Sequence, residues 1–137
     1  MIVVDTSVGL KWIQTTSEKY IDEARLLYKK HLKRTQEIVV PQLFFIEVAN
    51  ALTTKSHTKA TTIHKALQFM VDSNFVLHPN KYEEIVEAAL LAKRNGTSVY
   101  DMLYAVVADN LGCELVTADE MFIQKTKFRH VKHISQI

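Results

Sequence analysis

The sequence is short of the residues that punctuate a chain: 137 residues hold three glycines, two prolines and one cysteine. A lone cysteine, Cys113, excludes an internal disulfide and suits a reducing compartment. Standing before an apolar run, it reads as a small packing residue. So few breakers leave no linker, repeat or low-complexity stretch, and a single domain over residues 1–137 is expected. Long hydrophobic runs are missing as well. None approaches the ~20 residues of a membrane span. The opening "MIVVDTSVGLKW" lacks the basic region and apolar stretch of a signal peptide, so a soluble, cytoplasmic protein with no membrane contact is expected. Nor is there an excess of charge of either sign. A net charge of +2 neither demands nor excludes a nucleic-acid partner, since a local patch can hide in the mean. What the chain does have is 47% hydrophobic residues, enough for a packed core and too many for disorder.

Short β-rich runs alternate with helical patterns. Residues 2–4, 37–40, 75–78, 113–117 and 130–134 read as strands, the first and fourth as near-continuous apolar runs typical of strands buried on both faces. Between them, apolar residues recur at helical spacing over 18–34, 42–54, 61–72, 81–94 and 98–111, with a short helix after Asp5 and another after Asp119. Pro41 suits a helix start, and Asn95-Gly96 a helix stop. The alternation predicts an α/β fold with a parallel sheet of about five strands covered on both faces. In such folds ligands bind beyond the carboxyl ends of the strands, at the topological switch point.

Four acids occupy awkward positions. Asp5 follows the first strand and Asp119 the fourth. Each can cap the helix that follows, Asp119 within the capping-box spacing Thr117-Ala118-Asp119-Glu120, and each equally stands where a parallel sheet places its site. Asp101 lies three residues after a possible Ser98 cap, in the otherwise apolar "SVYDMLYAVVAD" (98–109), where it can serve the cap and helix dipole or face a site. Glu47 sits inside an apolar helix, among Leu43, Phe44, Asn50 and Ala51, where no cap is available. A carboxylate there needs a cation, a hydrogen-bond network or a cleft. Gathered at one sheet edge, four carboxylates repel one another, and a divalent ion relieves that repulsion. All-oxygen ligation suits Mg²⁺ or Mn²⁺. The six histidines, at 31, 57, 64, 78, 130 and 133, offer no zinc spacing.

"IVVDTS" (2–7), "EVANAL" (47–52), "VYDMLYAVVA" (99–108) and "LVTADEMF" (115–122), in this order over essentially the whole chain, resemble the motifs of PIN domains, and more closely those of VapC-type toxins. The resemblance implies a three-layer α/β/α fold and a Mg²⁺- or Mn²⁺-dependent ribonuclease. It puts the catalytic, metal-binding quartet on Asp5, Glu47, Asp101 and Asp119, with Thr6, Thr117 and Glu120 as accessories. It also implies an RNA substrate, a cognate antitoxin as partner and a homodimer. Metal-activated water acting in line would leave a 5′-phosphate.

Lys11, Lys55, Lys93 and Arg94 are the basic residues that could contact RNA, with Lys125, Lys127 and Arg129 beyond them; ordinary solvated charge is the plain alternative. Trp12 and Tyr20 could stack on bases or pack in the core. A phospho-receiver domain would need a phosphorylatable Asp on the middle strand and a late Lys-Pro, and a haloacid-dehalogenase-type phosphatase an Asp at position 7, where Ser7 stands. A PIN nuclease outside a toxin pair and a non-catalytic RNA- or protein-binding scaffold remain alternatives.

Overall fold

The structure, a computed structural model, describes residues 1–14, 18–54 and 57–137. Five strands, β1 (Ile2–Val4), β2 (Ile38–Pro41), β3 (Val76–His78), β4 (Glu114–Thr117) and β5 (Val131–His133), form an all-parallel sheet in the order β3-β2-β1-β4-β5. The helices are α1 (Thr6–Ile13), α2 (Ile21–Leu32), α3 (Leu43–Thr54), α4 (Ala60–Asp72), α5 (Tyr82–Asn95), α6 (Val99–Asn110) and α7 (Glu120–Thr126), with a 3₁₀ turn at Ile134–Gln136. They complete the expected three-layer α/β/α arrangement.

From β1 the chain steps outward through β2 and β3, then returns to the other side of β1 for β4 and β5. The strand order therefore reverses between β1 and β4, and the crevice of such a sheet opens at their carboxyl ends. Val3, Val4, Val40 and Val116 are fully buried, as strands covered on both faces require. Helix α6 is the most enclosed helix. Every residue from Met102 to Ala108 is buried, because the helix lies against β1, β2 and β4 and is itself covered by α5. At about 1.5–3 kcal/mol for each large apolar side chain removed from water, this helix anchors whatever its first turn carries.

Local chemistry explains the element ends. The Ser98 hydroxyl accepts the Asp101 amide at 3.0 Å and opens α6. Gly96, at φ +65°, closes α5 in the left-handed conformation expected at that position. Pro41, expected to start a helix, instead ends β2 opposite His78; lacking an N–H, it is tolerated at a strand's end, and α3 begins two residues later. Gly9 lets α1 approach α3: a Cβ there would lie 2.5 Å from the Phe44 ring.

Two sequence expectations resolve toward packing. Trp12 donates its indole N–H to the Ala24 carbonyl at 2.8 Å and its ring stacks on Phe75. Tyr20 sets its ring edge-on to His133. His78, one of the scattered histidines, is buried against Glu84 at 2.8 Å, and the Asn110 amide reaches the same carboxylate at 3.4 Å. This pair ties the edge strand to α5 and to the end of α6. Among the described residues no helix is long and apolar enough to cross a membrane.

Candidate active site

The residue after β1 and the residues after β4 meet across the crevice. Asp5 caps α1, its Oδ1 accepting the Val8 amide at 3.2 Å and the Ser7 hydroxyl at 2.5 Å. The Ser7 oxygen also accepts the Ala118 amide at 2.9 Å and lies 3.5 Å from the Thr117 hydroxyl. One serine thus ties the two strand ends together. Two residues past β4, Asp119 caps α7 through the Phe122 amide at 2.9 Å. The cap is Asp119 alone. Thr117 instead accepts the Asp119 amide at 3.0 Å, and among the described residues Glu120 makes no reciprocal capping hydrogen bond. Glu120 is exposed, with its carboxylate 4.0 Å from His133 Nε2, an atom with no hydrogen bond among the described residues.

Helices α3 and α6 supply the other two acids. Glu47 Oε1 accepts the Tyr104 hydroxyl at 2.6 Å and the Thr6 hydroxyl at 3.1 Å. Asp101 precedes Tyr104 by three residues, so both lie on one face of α6. Asp101 Oδ2 accepts the Ser98 hydroxyl at 2.8 Å, so Asp101 begins its helix and remains exposed at the helix end.

Electrostatics follow from these positions. Burial is the main cause that raises the Asp5 carboxyl from 3.8 to about 6; hydrogen bonds from Ser7, Thr117 and Val8 oppose the shift, and the charge on Asp101 adds to it. Burial, and then the Glu47 charge, push the Tyr104 hydroxyl well above its ordinary value, so it stays a donor. Among the described residues none of the four acids pairs with a lysine or arginine. A groove of about 460 Å³ lined by Thr6, Leu43, Ile46, Glu47, Asn50, Ala51 and Tyr100 runs beside Glu47. A larger hollow, about 650 Å³, lies at the opposite end of the sheet around Met1, Arg34 and Glu37 and touches none of the acids.

The basic residues fare unevenly. Lys11 is buried and bound to Glu18 at 2.7 Å; its charge is committed inside the fold, which corrects its expected place on an RNA surface. Lys93 and Arg94 are exposed in the last turn of α5. Lys55 lies outside the described residues. Ser7 and Tyr104 were not singled out in the sequence for the work they do. For Tyr104 the available signal was a polar tip inside an apolar helix, which when buried needs a partner.

The PIN-domain family model matches residues 2–128. The chain belongs to the PIN-domain family. This PIN domain is 28% identical, over 103 residues, to exonuclease VapC9 of Pyrobaculum aerophilum, a match spanning 73% of the chain and 75% of the relative. Among solved structures it resembles Mycobacterium tuberculosis VapC20, described as a sarcin–ricin loop cleaving toxin, with TM-score 0.66, 12% identity and coverage of 86% and 88% of the two chains. It also resembles VapBC2 of Rickettsia felis bound to a DNA fragment from its promoter, with TM-score 0.68, 16% identity and coverage of 97% and 98%.

The acids of this PIN domain suit a hard divalent ion by chemistry. The donors are all oxygen, they lack a cationic partner, and Glu47, Asp101 and Asp119 each have one carboxylate oxygen without a hydrogen bond among the described residues. As placed, no three carboxylate, histidine or cysteine side chains among the described residues close on a common point.

Proposed function

We propose that this PIN-domain protein is a nuclease that hydrolyses RNA phosphodiester bonds with Mg²⁺ or Mn²⁺, acting within one domain as the toxin of a toxin–antitoxin pair. What supports the reading is a set of carboxylates unpaired by any described lysine or arginine: Asp5 and Asp119 just past β1 and β4, Glu47 bound to the Thr6 hydroxyl next to Asp5, and Asp101 near enough for its charge to act on Asp5. Asp5, Glu47, Asp101 and Asp119 would hold the ion, in part through water. An ion bound there supplies a water of lowered pKa and offsets charge on the scissile phosphate. The chain's own residues prepare the place. Asp5 keeps a proton up to about pH 6, so binding a cation displaces that proton and weakens in acid. Ser7 and Thr117 orient Asp5, and Glu120 stays an outlying accessory. Lys93 and Arg94, just before α6 begins, are placed to attract a phosphate backbone.

The names of the relatives support the toxin reading: one is a VapC exonuclease, one a toxin that cleaves the sarcin–ricin loop, and one a VapBC assembly. A cognate antitoxin is the partner this reading calls for. A second copy of the chain suits the outer face of α5, where Tyr82, Val86 and Leu90 are exposed at helical spacing. Glu83 and Glu87 lie toward the start of that helix and Lys93 and Arg94 at its end, so two antiparallel copies would bring opposite charges together.

The test is cleavage of 5′-labelled linear RNA and internally labelled circular RNA by the purified protein with Mn²⁺, Mg²⁺ or chelator, with Asp101→Asn prepared identically. Metal-dependent cutting of both substrates, absent in the variant and leaving 5′-phosphates, is the expected result. Cutting of the linear RNA alone would favour an end-directed enzyme. A 2′,3′-cyclic phosphate would refute the mechanism.

A further inference from the structure

We propose that Tyr104 is a positioning residue of this nuclease, its buried hydroxyl fixing Glu47 so that one carboxylate oxygen is spoken for and the other is left for the ion. The inference rests on the reading of the four acids given above. Three groups from three helices meet at one point: Thr6 begins α1, Glu47 lies mid-way along α3, and Tyr104 sits in the second turn of α6. Tyr104 Oη lies 2.6 Å from Glu47 Oε1, Thr6 Oγ1 lies 3.1 Å from the same atom, and the two hydroxyls are 3.0 Å apart.

Counting protons decides the arrangement. Each hydroxyl has one proton and an ionised carboxylate has none. Three short contacts share two protons, so one contact is not a hydrogen bond. The strongest pattern sends both protons to the charged acceptor, since hydrogen bonds to an ion are the stronger ones. The contact between the hydroxyls is then a mere approach. Oε1 is saturated, and Oε2 is the oxygen of Glu47 with no hydrogen-bond partner among the described residues.

Tyr104 differs from Thr6 in what holds it. Its residue is 1% exposed, and the ring is fixed within the helix that carries Asp101 one turn earlier. The hydroxyl therefore links the position of Glu47, on α3, to that of Asp101, on α6. A glutamate otherwise has three rotatable bonds with which to stray. Second-layer hydrogen bonds of this kind orient metal ligands, and removing one lowers metal affinity or activity roughly 10–100-fold.

Tyr104→Phe deletes the hydroxyl and keeps the ring. The test is Mn²⁺ titration by calorimetry, together with kcat and KM on RNA, for the wild-type protein, Tyr104→Phe, Glu47→Gln and the double variant, with circular dichroism to check folding. Tyr104→Phe should bind Mn²⁺ about 10-fold more weakly and lose kcat with KM for RNA little changed. In the Glu47→Gln background the same substitution should change Mn²⁺ affinity no further. Equal losses in both backgrounds would show that Tyr104 acts on packing and would overturn the proposal, as would unchanged Mn²⁺ affinity in an active wild-type background. If Tyr104→Phe fails to fold, Thr6→Val removes the companion hydroxyl and is judged by the same cycle. A wild-type protein that neither binds Mn²⁺ nor cuts RNA would defeat the reading of the acids itself, a result distinct from failure of the clamp alone.

Discussion

Replacing Asp5 by Asn should make the metal-free protein more stable at neutral pH. The folded carboxyl holds its proton up to about pH 6, against 3.8 for the free group, chiefly because burial disfavours its charge. The sign follows from linkage. Between these values the folded state binds more protons than the unfolded state, so stability falls as pH rises through that window. At pH 7.5 the ionised Asp5 then costs up to about 3 kcal/mol relative to its neutral form, and nearer 2 given that the residue is only half-buried. Asn retains an oxygen for the Val8 amide and is as good an N-cap as Asp, so Asp5→Asn should relieve most of that cost without undoing α1. For a chain of this length the melting temperature should rise on the order of 5–10 °C. Thermal melts by circular dichroism in chelator, at pH 7.5 and pH 4.5, read the effect. At pH 4.5 the folded wild-type Asp5 is largely protonated, and the gap should shrink to about 1 kcal/mol. A variant less stable than wild type at pH 7.5, or a gap that ignores pH, would refute the argument and make Asp5 an ordinary cap.

Other substitutions separate the site from the scaffold. Asp101→Asn should lower RNA cleavage at least about 100-fold while the melting temperature of the metal-free protein holds or rises, read by gel assay and melts side by side. Lys11→Ala should lower stability by about 1–3 kcal/mol, since it strands Glu18 partly buried, and should leave RNA affinity unchanged, checked by urea unfolding and filter binding. Gly9→Ala should destabilise by about 1–3 kcal/mol, because its new methyl meets the Phe44 ring; paired with Phe44→Leu the loss should shrink, as a double-mutant cycle would reveal.

The fold was legible because its signals are redundant. The apolar runs of β1 and β4 say that both faces are covered, and the regular alternation of strands with helices points to a parallel sheet. The order of the strands was not legible: nothing in "IVV" says that it lies between β2 and β4. Of the acids, Glu47 was the easiest to single out, because a carboxylate inside an apolar helix has no local excuse. Asp5 and Asp119 were ambiguous because capping and site placement ask for the same residue in the same place, and both cap the helices that follow. Lys11 misled because sequence shows its charge but not Glu18 folding back onto it, and Tyr104 was hidden because its partners lie 57 and 98 residues away.

The central place of β1 has a further consequence, in time. Its neighbour β4 is made more than a hundred residues later, and the hydrogen bond that joins Ser7 to Ala118 spans 111 positions. A growing chain can build α2 to α5 from local contacts, but the crevice between β1 and β4 does not exist until its last quarter has emerged. Such long-range pairings form late and slowly. A chain assembled in this order completes the crevice between β1 and β4 only when its synthesis is almost finished.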